Sequence, residues 1–368
     1  MKKALIAMSG GVDSSVAALR MQEQGYTCTG VTMHLFDNED AGIAKGKTCC
    51  SLEDVEDARA VAQTLHMPYY VFNFKEEFEE KVMHRFVDAY QQGHTPNPCI
   101  DCNRFLKFDK LFQRMDELGM DVLATGHYAR VAYDKVRDRW ILRRGVDPNK
   151  DQSYVLYTLT QEQLARVRFP VGELSKDKVR EIAEDHGLLN ARKPDSQDIC
   201  FVPDGDYAGF IERFTGTPSE PGDFLNPQGE IIGTHRGIMH YTIGQRRGLG
   251  VSAPQPLYVC AIDPKNNTVT LGTEDHLYAK ALEAQDVNLI AEKTLSGPMM
   301  VQAKVRYRQP AQPATAWQTS DGILHVKFLR PQRAITCGQA VVLYDGDDVV
   351  GGGTISRVLR PTDSLMIP

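Results

Sequence analysis

The sequence predicts an α/β doubly wound parallel sheet over its first half, followed by all-β structure in two small units. Strand-like apolar runs alternate with helical repeats through the first half, which implies parallel pairing with crossover helices. From about Gly205 the chain breaks into short β-rich runs separated by Pro, Gly and Asn at turn-like intervals, as in small barrels and sandwiches. A glycine turn stands between the first strand and the first helix, and open α/β sheets bind ligands at the carboxyl ends of their strands.

Taken in order, KALIAM (Lys3–Met8) is a continuous apolar run, as a strand buried on both faces requires. SGGVDSSVAALRMQEQG is a glycine turn opening a helix that Gly25 closes. TCTGVTMHLF (Thr27–Phe36) is the second strand, and SLEDVEDARAVAQTL (Ser51–Leu65) has apolar residues at helical spacing behind a Ser cap with Asp54 three residues on. YYVFNF (Tyr69–Phe74) is a third strand, and DVLATGHYARV (Asp121–Val131) contains a fourth. In the second half PLYVCAID, NTVTLG, MMVQAKVRY, ILHVKFL and QAVVLYDGDDVVGGGTI read as strands.

A chain of 368 residues is long for one core, so two or three domains are expected. Hydrophobic content of 42% with 24% charged residues fits a soluble globular protein, and no apolar run approaches the ~20 residues that span a bilayer. MKKALIAMSGG runs into a glycine loop with an aspartate, so it is a buried first strand rather than a signal peptide. Eight cysteines are too sparse for a disulfide scaffold, and a cytoplasmic location with no membrane association is expected. A net charge of −6 argues against a generic nucleic-acid coat but leaves room for a local basic groove.

The strongest chemical signal is Ser9-Gly10-Gly11-Val12-Asp13-Ser14-Ser15, between a strand and a helix. Two glycines let successive backbone N–H groups face one concavity, and the helix N-terminus adds positive potential there. The hydroxyls of Ser9, Ser14 and Ser15 can donate to phosphate, and Asp13 can hold Mg²⁺. Gly42–Thr48 (GIAKGKT) imitates a Walker loop but has three residues between its glycines where four are needed.

A second signal is Pro96-Asn97-Pro98-Cys99-Ile100-Asp101-Cys102-Asn103. Two thiols at this spacing serve as half a zinc site, a redox pair, two cluster ligands, or a nucleophile with a neighbour. Zinc is disfavoured because no second CxxC exists, and a thioredoxin-like pair because this one does not open the first helix after a strand.

The Ser9–Ser15 stretch resembles the loop of the N-type ATP pyrophosphatases, the PP-loop or adenine nucleotide α-hydrolase-like enzymes. Within them, Thr95–Phe108, Leu123–Arg130, Lys150–Leu156, Asp195–Val202 and Thr242–Gly250 resemble the tRNA-specific 2-thiouridylases, from the first strand into the C-terminal β-region. The resemblance implies ATP-dependent 2-thiolation of the wobble uridine of tRNA, with adenylation of the C2 oxygen and release of AMP and pyrophosphate. Cys200 then matches the persulfide carrier and Cys102 its partner thiol, since resolving a persulfide takes a second thiol. ATP would be held by Ala7, Met8, Ser9, Gly10, Gly11, Val12, Asp13, Ser14, Met33 and Gly126, with Mg²⁺ on Asp13. The target base and tRNA would meet Asn97, Pro98, Cys99, His127, Lys150, Asp151, Gln152, Arg306, Tyr307 and Gln339.

Many relatives carry aspartate, a candidate acid–base group, at the position of Cys99, so the thiol would substitute for it. The thiol here opens an alternative in which Cys99, Cys102 and Cys200 hold a 4Fe-4S cluster that delivers sulfide. Two further rivals are another PP-loop ATP-dependent ligase or amidase and a non-enzymatic nucleotide- or tRNA-binding protein. The implied organisation is a catalytic domain over 1–204, a small central domain over 205–280 and a C-terminal β-barrel over 281–368. Implied partners are tRNA and a sulfur donor protein, a cysteine desulfurase or relay protein, acting on a monomer.

Overall fold

A computed structural model describes residues 1–37, 52–195 and 199–359. The Walker-like Gly42–Thr48, Cys49, Cys50, the Ser51 cap and Ser196–Asp198 lie outside the described residues. The chain divides into two compact units, neither of them one continuous stretch: the first comprises 1–83, 98–205 and 347–350, the second 84–97, 206–346 and 351–368.

The chain opens with β1 (Lys3–Ala7), α1 (Val12–Glu23), β2 (Thr27–His34), α2 (Leu52–Thr64), β3 (Tyr69–Asn73) and the single turn α3 (Lys75–Phe78). A π-helical segment, Glu79–Met83, leads into α4 (His84–Gln91), which belongs to the second unit. Back in the first unit come α5 (Pro98–Asp101), a π-helical segment Cys102–Lys110, α6 (Leu111–Glu117) and β4 (Val122–Thr125). The hairpin β5 (Ala129–Asp134) and β6 (Arg139–Arg144), α7 (Gln161–Arg166), β7 (Val167–Arg168) and α8 (Lys176–Asp185) complete it.

The first unit's sheet is parallel, in the order β3-β2-β1-β4-β7. Its centre is apolar on both faces: Ala4, Leu5 and Ile6 are fully buried, as are Val16, Ala17 and Ala18 on α1. This is the doubly wound sheet that the alternating pattern predicts. Chain order reverses at β1, which pairs β2 on one side and β4 on the other, with Ala7 beside Thr125. The loops leaving β1 and β4 therefore open together at the switch point, where such sheets bind ligands. The run expected to contain a fourth strand holds all of β4 and also the start of β5, separated by Gly126, His127 and Tyr128.

In the second unit, α9 (Tyr207–Thr215) precedes β8 (Gly222–Leu225), β9 (Ile231–His235), β10 (Tyr258–Asp263) and β11 (Thr268–Gly272). These form a sheet in the order β10-β11-β8-β9 around Phe224, Tyr241, Val259, Val269 and Leu271. The remaining strands are β12 (Tyr278–Leu289), β13 (Met299–Lys304), β14 (Gln312–Gln318), β15 (Leu324–Arg333), β16 (Ala340–Asp345) and β17 (Asp348–Leu359). They run in the order β12-β15-β14-β13-β16-β17, and pairing of β12 with β17 closes a six-stranded barrel that leaves no open edge. Strands β8, β9, β12 and β14 went unread in the sequence. YAKALEAQDVNL is rich in Ala, Leu, Glu and Gln, so β12 is a strand by packing and against its local propensity.

Candidate active site

The glycine loop has the geometry that phosphate binding needs. Gly10 has φ +72°, and a Cβ there would lie 2.5 Å from the Asp54 carbonyl oxygen. Gly126 lies against the start of α1, where a Cβ would fall 2.6 Å from the Ser14 nitrogen. At both positions neighbouring backbone comes so close that no side chain fits, so each demands glycine. Ser9 is exposed, whereas the buried Ser14 and Ser15 donate their hydroxyls to the Gly11 carbonyl at 2.9 and 3.1 Å. Those two hydroxyls thus brace the first turn of α1, a role the motif alone does not reveal. Ala7 ends β1 and Met8 follows it, and the half-buried Met33 sits near the end of β2, paired with Phe72.

Asp13 is tied into an ion network. Its Oδ1 accepts from the Tyr128 hydroxyl at 2.6 Å, and the Lys176 ammonium donates to both oxygens at 2.7 and 2.9 Å. The same ammonium lies 2.7 Å from Asp195 Oδ1, and Asp195 also takes Lys150 at 2.7 Å and Arg180 at 3.1 Å. Burial alone would raise the Asp195 carboxyl, but the hydrogen bonds and charges of Lys150 and Lys176 outweigh it and hold it below the ordinary range. Burial, then the negative charge of Asp13, drives the Tyr128 phenol far up, so it stays a proton donor.

Lys150, Asp151 and Gln152 are wired back to this network. The Tyr128 N–H donates to Gln152 Oε1, and the Gln152 N–H donates to the Tyr128 carbonyl, both at 2.9 Å. Asp151 accepts from the backbone of Gly145 and of Ser153, both at 3.1 Å. His127 is buried, its Nδ1 2.7 Å from the Thr125 hydroxyl, its ring between Phe108 and Phe169. Burial, with Lys107 nearby, holds the imidazole neutral well below its usual titration. The structure thus places His127 in the wall of the site rather than on its surface.

The thiols sit on the same unit. Cys99 is exposed on α5, and Cys102 is half-buried at the start of the π-helical turn. Cys200 is half-buried, and its neighbour Phe201 packs edge-on against Phe78, ring centres 5.7 Å apart. The segment that follows Phe78 packs in turn against α5 and the Cys102 segment. Cys28 is buried in β2, where burial pushes its thiol up to about 11.

In the second unit Gln339 donates Nε2 to the carbonyls of Thr95 and Pro96, at 2.8 and 3.2 Å. Gly338, at φ +88°, lets the chain approach Thr95 this closely. Gln339 thereby fixes the strap that ends at Asn97, just before the buried Pro98. One terminal nitrogen of Arg306 donates to the carbonyls of Ile243 and Ala334 and to the Thr336 hydroxyl, at 3.2, 2.8 and 2.9 Å. The side chain is a clamp on TIGQRRGLG. Lys304 lies over the Tyr307 ring, 5.5 Å from its centre.

Neither expected metal finds a ready ligand set. Among the described residues no group of three or more His, Cys, Asp or Glu side chains is placed to hold a metal ion. Cys99, Cys102 and Cys200 are therefore not gathered as cluster ligands, and Mg²⁺ on Asp13 would have to displace the Lys176 ammonium. Among these same residues no helix is long and apolar enough to cross a membrane.

Lys176, Tyr128 and Asn190 are site residues that sequence reasoning missed. A Ser175 cap and Gly187 announce α8, but nothing local says that its first residue turns toward Asp13.

Comparison with known proteins gives three consecutive family matches. Residues 2–204 match the tRNA methyl transferase HUP domain, 208–273 the tRNA methyl transferase PRC-barrel domain, and 279–355 the aminomethyltransferase beta-barrel domain. The chain is 49% identical over 358 residues to the tRNA-specific 2-thiouridylase MnmA of Clostridioides difficile (strain 630), covering 97% of this chain and 99% of that protein. It is 50% identical over 356 residues to its namesake from Acetivibrio thermocellus, covering 96% and 99% respectively. With the Desulforamulus reducens protein of the same name it shares 49% over 360 residues, 98% of each chain.

Proposed function

The chain belongs to the tRNA-specific 2-thiouridylase family, and from that premise we propose that it performs ATP-dependent thiolation of the wobble uridine of tRNA at C2. The C2 carbonyl of uracil is a poor electrophile with no leaving group. ATP supplies one by transferring AMP to the C2 oxygen and releasing pyrophosphate.

The observation that carries this reading is a backbone-walled phosphate loop on the same compact unit as Cys102 and Cys200. Cys200 carries the incoming sulfur as a persulfide, charged by a sulfur donor protein. Its terminal sulfur attacks C2, and AMP departs with the C2 oxygen. The Cys102 thiolate then attacks the Cys200 sulfur, leaving the thiocarbonyl on the base and a Cys102–Cys200 disulfide that an external thiol reduces. Asn97 and Pro98 meet the base, and tRNA is contacted by Lys150, Asp151 and Gln152 of the first unit and by Arg306, Tyr307 and Gln339 of the second.

The test is thiolation of tRNA transcripts with ATP, a cysteine desulfurase and free cysteine, read as 2-thiouridine by nucleoside mass spectrometry. Cys102→Ser and Cys200→Ser are expected at background, and Cys99→Asp is expected to remain active without bound iron. Wild-type output from Cys200→Ser overturns the relay. Loss of activity in Cys99→Asp, together with stoichiometric iron in the wild type, overturns it in favour of a cluster.

A further inference from the structure

The phosphate loop carries no cation of its own. Ser9–Ser15 contributes hydroxyls and one carboxylate, and a carboxylate beside a polyphosphate is repulsive unless something neutralises it. The nearest ammonium comes from the far end of the domain's sequence. Lys176 is only 7% exposed, sits in the first turn of α8 packed on α1, and spends its three protons on Asp13 and Asp195.

We propose that Lys176 is a phosphate-binding residue of the nucleotide site, supplying the charge that the loop lacks. The inference rests on the reading of that loop as an ATP site. Two observations support it beyond the ion pair itself. Asp13 is the loop's only acidic group, so the ammonium is bound to the loop itself. Asp195 keeps Lys150 and Arg180 when Lys176 turns away, and Asp13 keeps the Tyr128 hydroxyl, so neither carboxylate is stranded. A buried ion pair gains little over apolar packing of similar volume, so stability alone does not account for this ammonium.

The test compares full-length wild type with Lys176→Met, Lys176→Gln and Lys176→Arg. Affinities for ATP and for adenosine are read by displacement of a fluorescent adenosine analogue, and thermal midpoints are recorded alongside. Lys176→Met and Lys176→Gln are expected to lose about tenfold or more in ATP affinity, as for a lost charge-assisted contact, while adenosine binding stays within about twofold. Lys176→Arg keeps its charge and is expected to retain most ATP affinity. ATP binding by a folded Lys176→Gln within about twofold of wild type overturns the proposal. Equal loss of ATP and adenosine also overturns it, because that is the mark of a support for the loop. If Lys176→Met fails to fold, Lys176→Gln, which can still donate to Asp13, decides. A wild-type protein that binds no ATP sinks the nucleotide reading itself, a result distinguishable from a wild type that binds and variants that match it.

Discussion

Asn190 donates one amide group to two members of the phosphate loop, the Gly10 carbonyl at 2.9 Å and the Ser15 hydroxyl at 2.8 Å. It is buried, so no water replaces these bonds. The loop's shape thus depends on a side chain ten residues before Cys200. Asn190→Ala should lower the stability of the first unit by about 2 kcal/mol. Asn190→Asp should cost more, because a carboxylate cannot donate and would face a carbonyl oxygen. Thermal melts of the two variants check the order, and Asp milder than Ala would refute it.

Gly126→Ala should damage nucleotide binding without touching a polar group. Its methyl would fall 2.6 Å from the Ser14 nitrogen and 2.7 Å from the Asp13 carbonyl carbon, and backbone must move to admit it. A loss of ATP affinity of about tenfold or more is expected, with destabilisation of about 2–4 kcal/mol. Equilibrium titration with ATP beside a chemical denaturation curve separates the two effects.

His127 should make the first unit acid-sensitive. Burial keeps its folded-state titration well below the ordinary value, so above about pH 6.5 the ring is neutral in both folded and unfolded chains. As pH falls below that point the unfolded chain takes up a proton that the folded protein refuses. Stability then drops by up to about 1.4 kcal/mol per pH unit until the folded pKa is reached. His127→Gln should flatten this slope by one proton between pH 6.5 and 5, read from denaturant melts, and an unchanged slope would show that the ring is accessible.

Arg306→Lys should destabilise the second unit although the charge is kept. A lysine cannot present a flat terminal nitrogen to two carbonyls and a hydroxyl set on different segments. The expected cost is about 2 kcal/mol in the melt of that unit. A lysine variant as stable as wild type, with tRNA affinity lost on Arg306→Ala, would instead mark Arg306 as a direct phosphate ligand.

What the sequence showed, and what it hid, follows from the range of the forces involved. SGGVDSS and the Gly of TGH are legible because close backbone approach demands glycine locally, and alternating apolar runs announce a parallel sheet for similarly local reasons. Lys176 is one lysine in an amphipathic helix, and only the packing of α8 on α1 turns it toward Asp13. Arg306 and Gln339 read as RNA contacts in the sequence, and only the structure shows that they also donate to main-chain carbonyls distant in sequence. The β12 strand stayed hidden because its residues favour helix and its barrel partners lie dozens of positions away.

The interleaving of the two units has a consequence for how the molecule is made. Asp347 and Asp348, which receive Arg130, Arg137 and Arg143, belong to the first unit but are synthesised only after most of the second. Residues 84–97 emerge early, yet the residues they pack with, Gln339 among them, arrive some 240 positions later. The nucleotide-binding half cannot be completed ahead of the barrel, and a fragment cut after residue 205 would carry an orphaned strap and lack its last ion pairs. A truncation before residue 347 therefore removes part of the first unit as well as of the barrel.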